Sequence, residues 1–479
     1  MKKFISSLIT CVVFATAANA QDKPNVLFIA IDDLNDWIGC MKGHPQAKTP
    51  NIDRLAAQST LFTNTHCQAP ICGPSRASVM SGLMPTTTGN YLMVKDKEIK
   101  LSNEASKKSI FLPDYFEQFG YKTMGTGKLF HNGDSADCFD EYRKETATLY
   151  GPLPPKRFKY DPVWFGKPKG TATDWGPFPN DENEMPDTRS ADWAVEKIRM
   201  KYDKPFFLAV GFVRPHVPWY APKKWFDMFP INEIQTPPYL KTDMDDVPKL
   251  GQRIAAMPTM PTTDWMIETN QWKDAVQAYL ACIAYVDAQV GKLLDALEKS
   301  PYAKNTVVVL WSDHGQHVGE KNRFGKQALW DKAIKAVLMF KQPGKTTNAV
   351  CDKPVQLLDI YPTLTALCGL PDNKMNEGHS LMPLINNPSS APWPHYAVTA
   401  YGKGNISIFS QQYQLIQYED KSMELYDLKT DPNEWKNLAG DKKYKRIIKD
   451  HQKHIPAKQV KNSPYSTYWI NEYFQNAGK

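Results

Sequence analysis

The sequence predicts an α/β protein with a large mixed sheet between helices and, at its C-terminal end, a small antiparallel sheet with a packed helix. Four near-continuous apolar runs are typical of strands buried on both faces, and helical stretches alternate with them. Two later runs of alternating polarity, NISIFSQQYQLIQYED and MELYDL, predict the small sheet. The four apolar runs begin at Asn25 (NVLFIAIDD), Gly120 (GYKTMGTGK), Pro205 (PFFLAVGFV) and Thr306 (TVVVLWSDHG).

Three stretches have the features of helices. SIFLPDYFEQFG from Ser109 and DAVQAYLACIAYVDAQVGKLLDALEK from Asp274 have apolar residues at helical spacing. A third helix is predicted to begin at Cys72, because Pro74 suits a first helical turn.

The first twenty residues have the pattern of a secretory signal. Lys2 and Lys3 precede a mostly apolar stretch over 4–17, and residues 18–20 (ANA) form a small-residue cleavage site. We therefore expect an exported protein, periplasmic or extracellular, whose mature chain starts near Gln21 and has no stable membrane anchor.

The composition changes at residues 388–394 (PSSAPWP). With the signal peptide over 1–20, this change predicts a catalytic domain over 21–390 and a C-terminal subdomain over 391–479. Without the two lysines of the signal, 56 basic and 51 acidic side chains remain, a net charge of +5. This mild excess suits an anionic substrate, and the absence of a basic run or RNA-binding motif argues against nucleic acid as a partner.

The cysteines raise a question, because the mature chain has an odd number of them. Of eight, Cys11 lies in the predicted signal, and the other seven have no CxxC metal-binding spacing. Cys282 and Cys368 lie in apolar helical contexts and are predicted to be buried thiols. Cys72 is the candidate for a thiol without a structural role.

Polar residues follow each of the four apolar runs. Because ligands of α/β sheets bind beyond the carboxyl ends of the strands, we expect these polar residues to meet at one edge. Each alone has an ordinary explanation, such as an Asp that caps a turn, but four such strand ends together favour a site. The residues are Asp32 and Asp33, Lys128 and His131, His216, and Asp313 and His314.

Three carboxylates in one place repel one another unless a cation is present, and Ca²⁺ is the usual oxygen-ligated cation outside the cell. The predicted metal ligands are therefore Asp32, Asp33 and Asp313, with His314 as a less usual nitrogen ligand. The cationic or imidazole side chains around them would hold a tetrahedral dianion or its monoester. These are Arg76, Lys128, His131, His216 and Lys326.

The nucleophile is not evident from the residues, because Cys72 is the remaining candidate and a thiolate is a poor ligand for Ca²⁺. The segment Cys72-Gly73-Pro74-Ser75-Arg76, however, resembles the C-x-P-S-R motif of type I sulfatases, in which the cysteine is oxidised to formylglycine. GKLFHNG, WSDHG, FGKQALWD, VQLLDIYPTL, EGHSLMPLI and ELYDLKTDPNEWKNLA resemble later landmarks of that family, so the resemblance covers about residues 23–439.

The resemblance implies an alkaline-phosphatase-like sulfatase fold and is strongest to the iduronate-2-sulfatase branch, where the histidine after the metal-binding aspartate also occurs. It also implies a maturation partner, either a formylglycine-generating enzyme or an anaerobic sulfatase-maturating enzyme. The modified residue 72 would ligate Ca²⁺ and, as its hydrate, attack the sulfate ester.

The resemblance also implies a role for each of the other site residues. Arg76 and Lys128 would stabilise the hydrate and the charge beside the metal. His216 and Lys326 would bind sulfate oxygens, and one of them would protonate the leaving sugar oxygen. His131 would deprotonate the remaining hydroxyl and so expel sulfate.

The sequence departs from the family at a few positions. Gly73 replaces a more common Ala, Ser or Thr, and Ser81 replaces Thr. Phe409 stands where the branch often has an Arg, which favours a sugar other than iduronate.

The irregular stretch 150–187 is predicted to wall the cleft. Trp164 and Trp175 in this stretch are candidates for stacking on a sugar, and a solvated surface loop is the alternative.

The predicted function is hydrolysis of sulfate esters of a sulfated glycan, for example a 2-O-sulfated uronate or an algal polysaccharide such as ulvan or carrageenan. Two alternatives remain open at this point. One is a phosphodiesterase or phosphonate monoester hydrolase of the same superfamily, and the other is an inactive protein that binds sulfated glycans.

Overall fold

The computed structural model describes residues 23–133, 135–145, 149–159, 173–257 and 260–466, so the predicted signal peptide lies outside the described residues. The described strands are β1 (Asn25–Ile31), β2 (Thr60–His66), β3 (Lys122–Gly127), β4 (Glu141–Arg143), β5 (Trp175–Pro177), β6 (Phe206–Phe212), β7 (Trp219–Ala221), β8 (Thr306–Ser312), β9 (His317–Val318), β10 (Phe324–Gly325), β11 (Lys335–Lys341), β12 (Ala349–Cys351), β13 (Val355–Gln356), β14 (Ala397–Ala400), β15 (Ile406–Phe409), β16 (Tyr413–Gln417) and β17 (Met423–Asp427).

The described α-helices lie between and after these strands. They are α1 (Pro50–Ala56), α2 (Cys72–Ser81), α3 (Pro85–Thr88), α4 (Glu104–Lys108), α5 (Leu112–Gln118), α6 (Pro186–Arg199), α7 (Lys223–Phe226), α8 (Lys249–Ala255), α9 (Thr263–Glu268), α10 (Trp272–Glu298), α11 (Asp331–Ile334), α12 (Ile360–Leu367), α13 (Met382–Asn386) and α14 (Lys445–Gln452). Within the described ranges, no helix combines the length and the apolar character needed to cross a membrane.

The large sheet is mixed, as predicted. In the described part of the chain it has nine strands in the order β12-β2-β11-β8-β1-β6-β3-β4, and β13 also pairs with β2. β11 runs antiparallel to both of its neighbours, while the other pairs are parallel. The four runs predicted from the sequence are the adjacent strands β8, β1, β6 and β3, so their carboxyl ends lie side by side.

Both faces of this sheet are covered by helices. Along β1, Val26, Phe28 and Ala30 belong to one buried cluster, while Leu27 and Ile29 belong to the other. This alternation is the two-residue period of a pleated strand, and it explains why the run is apolar throughout. The first cluster includes residues of α2, α5 and α12, and the second includes most residues of the long helix α10, whose middle turns are buried on all sides.

The small C-terminal sheet is antiparallel, in the order β14-β15-β16-β17, as the alternating runs predict. α14 packs on it through Ile448, which lies in a buried cluster with Leu415 and Leu425. The edge strand β14 contacts the segment after β2, where the backbone N–H of Ala400 donates to the carbonyl of Gln68 at 2.9 Å.

Phe409, in β15, is fully buried and stacks on His66 at the end of β2, with ring centroids 3.6 Å apart and an interplanar angle of 21°. The aromatic ring therefore serves the contact between the two sheets. The inference drawn from the missing arginine, that the sugar differs from iduronate, stays a prediction.

The cysteines that the structure describes do not pair with one another. All seven in the described ranges are free thiols, and Cys282 and Cys368 are buried as predicted.

A buried carboxylate on the small sheet forms a hydrogen bond to the segment before α11. Glu424, on β17, accepts hydrogen bonds from the hydroxyls of Tyr418 and Tyr426 and from the indole Nε1 of Trp330, the last at 2.9 Å. Trp330 directly precedes α11 and belongs to the segment that carries Lys326. Burial raises the pKa of Glu424, so this side chain depends on its donors.

We expect Trp330→Phe to destabilise the fold by about 1–3 kcal/mol, because it leaves an oxygen of a buried carboxylate without one of its donors. The denaturation midpoint in urea measures the effect. Trp435→Phe is the matched control, because Trp435 is 38% exposed and its loss should leave the midpoint unchanged. Equal midpoints for both variants would contradict this account of Glu424.

Candidate active site

The polar ends of the central strands meet at one place. The backbone N–H of Asp33, after β1, donates to Oδ1 of Asp313, after β8, at 3.1 Å. The Lys128 ammonium, after β3, pairs with Asp32, and both side chains are fully buried. A ring nitrogen of His216 lies within 4.8 Å of carboxylate oxygens of Asp32 and Asp33. The structure thus brings the polar residues of four adjacent strands together.

Cys72 lies at the centre of this group as the first residue of α2, all ten residues of which are buried. Its Sγ is 3.0 Å from Nζ of Lys326 and 3.3 Å from Nε2 of His314. Burial and the Asp32 carboxylate raise the pKa of Cys72, but Lys128 and Lys326 outweigh them and the net pKa is lowered. The helix N-terminus adds positive potential at the same point.

Arg76 lies one helical turn after Cys72 and therefore on the same side of α2. Its Nε donates to Oδ2 of Asp313 at 2.8 Å and its Nη2 to Oδ1 of Asp32 at 3.3 Å, while Nη1 donates to the carbonyl of Lys128. One guanidinium thus connects the ends of β1, β3 and β8. The four-residue spacing between Cys72 and Arg76 follows from this geometry.

Gly73 is matched to its surroundings. A Cβ at this position would lie 3.0 Å from Sδ of Met93 and 3.9 Å from Cβ of His131. The Met93 thioether therefore occupies the space that a side chain at position 73 would need.

The pKa values of the three carboxylates are shifted in different directions. Burial raises the pKa of Asp32, but Lys128 and other cations overcome this and hold that pKa well below its usual range. For Asp33, burial dominates and raises the pKa to about 6, although Lys326 opposes it at 2.5 Å from Oδ1. Burial also raises the pKa of Asp313. The raised pKa values of Asp33 and Asp313 show that burial disfavours their charged forms, and a bound cation would favour those forms.

The donor set fits a divalent cation. Asp32, Cys72, Asp313 and His314 have ligand atoms within 4.8 Å of one another, and Asp33 lies in an overlapping group. Nδ1 of His314 lies 2.8 Å from the carbonyl of Gly315, a contact that directs Nε2 towards the cluster. Burial lowers the pKa of His314, but Asp313 outweighs it and raises the pKa to about 9, so that a cation at Nε2 would compete with a proton.

His131 lies in the turn after β3. Its backbone N–H donates to Oδ1 of Asp96 at 3.1 Å, and that of Asn132 donates to Oδ2 at 2.6 Å. Burial of the ring, together with Lys128, lowers the pKa of His131 to about 3. The imidazole is therefore neutral at ordinary pH, and the lowered pKa also makes it a weaker base than a free imidazole.

Lys326 reaches the cluster from the segment after β10. The backbone N–H of Gln327 donates to the carbonyl of Pro70 at 2.9 Å, which fixes this segment beside the start of α2. The Lys326 side chain is 13% exposed, and its pKa is raised well above its usual range, because Asp33 and Cys72 overcome the effect of burial. It is therefore a cation at ordinary pH beside residue 72.

Of the two tryptophans predicted to stack on sugar, the structure describes only Trp175. Trp164 lies outside the described residues. Trp175 is 2% exposed, and its ring packs in the core against Trp219, with centroids 6.3 Å apart. Its strand, β5, pairs with β7, which turns the ring inward. The prediction that Trp175 binds substrate is therefore wrong.

The structure adds residues that the sequence analysis did not single out. The ring of Tyr150 stacks on His216 with centroids 5.1 Å apart and an angle of 29°. Arg214 is buried and donates to the carbonyls of Tyr150 and His216, and Asp187 holds the backbone of Val213 and Arg214. Arg214 and His216 share the segment VRPHVPW, whose clustered polar residues in an apolar context were the available signal.

Comparison with known proteins identifies the family. A family model described as Sulfatase matches residues 24–370, and one described as N-sulphoglucosamine sulphohydrolase, C-terminal, matches residues 319–461. A protein named Sulfatase from Formosa agariphila is 47% identical over 95% of this chain and 90% of its own length. The iduronate 2-sulfatase of Homo sapiens is 30% identical over 76% of this chain and 73% of its own length.

Solved structures agree on the fold. A 2-O GAG sulfatase superposes with a TM-score of 0.66 at 23% identity, covering 96% of this chain and 93% of its own. A phosphonate monoester hydrolase from Silicibacter pomeroyi superposes with a TM-score of 0.71 at 18% identity, covering 90% and 94%. At such identities the likeness shows the shared alkaline-phosphatase-like fold and no particular substrate. The predicted membership is confirmed by the family model and the relatives: the chain belongs to the sulfatase family and is a sulfuric ester hydrolase.

Proposed function

We propose that this sulfatase hydrolyses sulfate esters of a sulfated glycan, with Cys72 as the precursor of its nucleophile and Ca²⁺ as its cation. One observation carries the proposal. The Sγ of Cys72 lies within 3.0 to 3.8 Å of Lys326, His314 and Asp33, inside a buried group of carboxylates and cations. A soft sulfur atom among hard oxygen donors is a mismatch that conversion to an oxygen group would remove.

The conversion we propose is oxidation of Cys72 to formylglycine. The hydrated aldehyde would supply an oxygen nucleophile and a second hydroxyl from which the product can be released. Cys72 is 1% exposed in the folded chain, so a maturating enzyme would have to reach it before folding is complete. A formylglycine-generating enzyme or an anaerobic sulfatase-maturating enzyme is therefore the implied partner.

The cation would be held by Asp32, Asp33, Asp313 and His314 together with the modified residue 72. Bound there, a divalent cation polarises oxygen atoms and offsets the charge of the carboxylates. Ca²⁺ suits the carboxylate-rich set and an exported protein.

The remaining side chains have separate tasks. Lys128 and Arg76 are fully buried cations that hold Asp32 and Asp313 in place and oppose negative charge at residue 72. Lys326 and His216 border the same space and would bind the sulfate oxygens, and one of them would donate a proton to the leaving sugar oxygen. His131, neutral at ordinary pH, would accept the proton whose removal expels sulfate.

Several observations support a glycan as the substrate. The relatives include proteins named Iduronate 2-sulfatase and, at 27% identity, Ulvan-active sulfatase from Formosa agariphila. The mature chain's net charge of +5 suits a polyanion. We propose a 2-O-sulfated uronate or an algal polysaccharide such as ulvan or carrageenan. The N-terminal segment supports export to the periplasm or the medium, where such polymers would be met.

The modification is testable by mass spectrometry of the tryptic peptide that ends at Arg76, from protein purified out of its native host. We expect a mass about 18 Da below that of the unmodified peptide, because sulfur and two hydrogens leave as one oxygen enters. The Cys40 peptide from the same digest is the control and should show an unmodified thiol. A fully unmodified Cys72 would contradict the proposal that this residue is converted to the nucleophile.

Sulfate release from a panel of defined sulfated oligosaccharides tests the activity. We expect at least one to be hydrolysed, and Cys72→Ala to lower the rate by about 10⁴-fold or more because the nucleophile is lost. Cys40→Ala, which removes a thiol outside the site, should keep the rate. Faster hydrolysis of a matched phosphonate or phosphate ester would instead favour the alternative reaction of this superfamily.

Metal content tests the cation site. We expect about one Ca²⁺ per chain, loss of sulfate release after chelation, and recovery when Ca²⁺ is returned. Asp33→Asn should lower the bound metal, because it removes a charged ligand, whereas the exposed Asp372→Asn should not. Full metal occupancy in Asp33→Asn would contradict the assigned ligand set.

A further inference from the structure

One aromatic side chain borders the reaction centre without a role in the chemistry above. Tyr150 is half-buried, its ring stacks on His216, and Nζ of Lys128 lies 5.7 Å from the ring centroid. Part of this ring therefore contacts residues assigned to sulfate and to the nucleophile, while another part reaches solvent. Tyr150 is therefore a candidate contact for the group attached to the sulfate.

The position of Tyr150 is fixed by its backbone. Nη2 of Arg214 donates to the carbonyl of Tyr150 at 2.8 Å, and Nη1 of the same guanidinium donates to the carbonyl of His216 at 3.3 Å. Arg214 is 1% exposed, and its Nε also donates to the carbonyl of Tyr220 at 2.8 Å. One buried guanidinium thus sets the spacing between the phenol ring and the imidazole.

The backbone around Arg214 is in turn held by a buried carboxylate. Asp187, at the start of α6, accepts hydrogen bonds from the backbone N–H groups of Val213 at 2.7 Å and Arg214 at 2.9 Å. The backbone that carries Arg214 and His216 is therefore anchored to α6. Such anchoring lowers the cost of ordering Tyr150 when a ligand binds.

The Tyr150 hydroxyl remains available. Within the described ranges, it forms no hydrogen bond with another residue. A phenol offers an apolar ring and a polar hydroxyl, which is the combination that a sugar ring, with its C–H face and its hydroxyls, can use.

We propose that Tyr150 contacts the sugar that carries the sulfate ester and that it makes this site selective for glycans, with Arg214 as its positioning residue. This inference rests on the proposed function. The buried cations recognise the sulfate, which every sulfate ester shares, whereas Tyr150 would recognise the pyranose attached to it. The specificity for the sugar would then be separable from the affinity for the anion.

The test compares Tyr150→Ala, Tyr150→Phe and the control Leu153→Ala, all with verified formylglycine. Leu153 lies in the same segment and is 58% exposed. For a sulfated disaccharide that the wild type hydrolyses, we expect kcat/KM to fall about tenfold or more in Tyr150→Ala. We expect a fall of about threefold in Tyr150→Phe, which keeps the ring and loses the hydroxyl, and no change in Leu153→Ala. The inhibition constant of inorganic sulfate should stay within about twofold in all three variants.

The possible results distinguish a failure of the inference about Tyr150 from a failure of the proposed function. An unchanged kcat/KM in Tyr150→Ala would overturn the inference while leaving the proposed function intact. Equal weakening of the disaccharide and of inorganic sulfate would also overturn it, since Tyr150 would then only support the anion site. If Tyr150→Ala fails to fold, as judged by its thermal unfolding, Tyr150→Phe decides the question. Wild-type protein with formylglycine that released no sulfate from any glycan would overturn the proposed function and the inference together.

Discussion

The buried balance of charge at the ends of the central strands is the constraint on which the site depends. Asp32, Asp33 and Asp313 are at most 1% exposed, and an isolated carboxylate there would be strongly destabilising. The cations Arg76, Lys128 and Lys326 contact these carboxylates directly. A buried pair of this kind seldom adds net stability, but removal of one partner is costly. The buried ion pairs are therefore better explained by a role in the reaction than by a contribution to the stability of the fold.

Much of the site could be predicted because it follows from a parallel sheet. Apolar runs that end in Asp, Lys or His indicate both the strands and the edge where they meet, and β8, β1, β6 and β3 are direct neighbours. The helix that begins at Cys72 brings Arg76 to the same edge through one turn. What the motif resemblance added was the identity of the reaction, because residue types alone left a thiol where an oxygen was needed.

The parts that could not be predicted depend on contacts between distant segments. Trp175 was a candidate for stacking on sugar, but pairing of β5 with β7 turns it into the core. Phe409 was compared with an arginine of related sequences, but its partner is His66, over 300 residues earlier in the chain. Tyr150 gave no local signal, because its place beside His216 is set by Arg214, 64 residues later. Periodicity and composition do not contain such pairings.

The small sheet has a place in this arrangement although none of its residues belongs to the charged cluster. The segment that carries Lys326 is held from that side. The Lys321 ammonium binds the carbonyl of Glu434, whose carboxylate accepts the backbone N–H of Asp331 at 3.1 Å, and Gln414 donates to the carbonyl of Leu329 at 2.7 Å. Because these bonds lie on both sides of Lys326 in the sequence, they restrict the positions that its ammonium group can take. The C-terminal part of the chain thus helps to position a cation of the charged cluster.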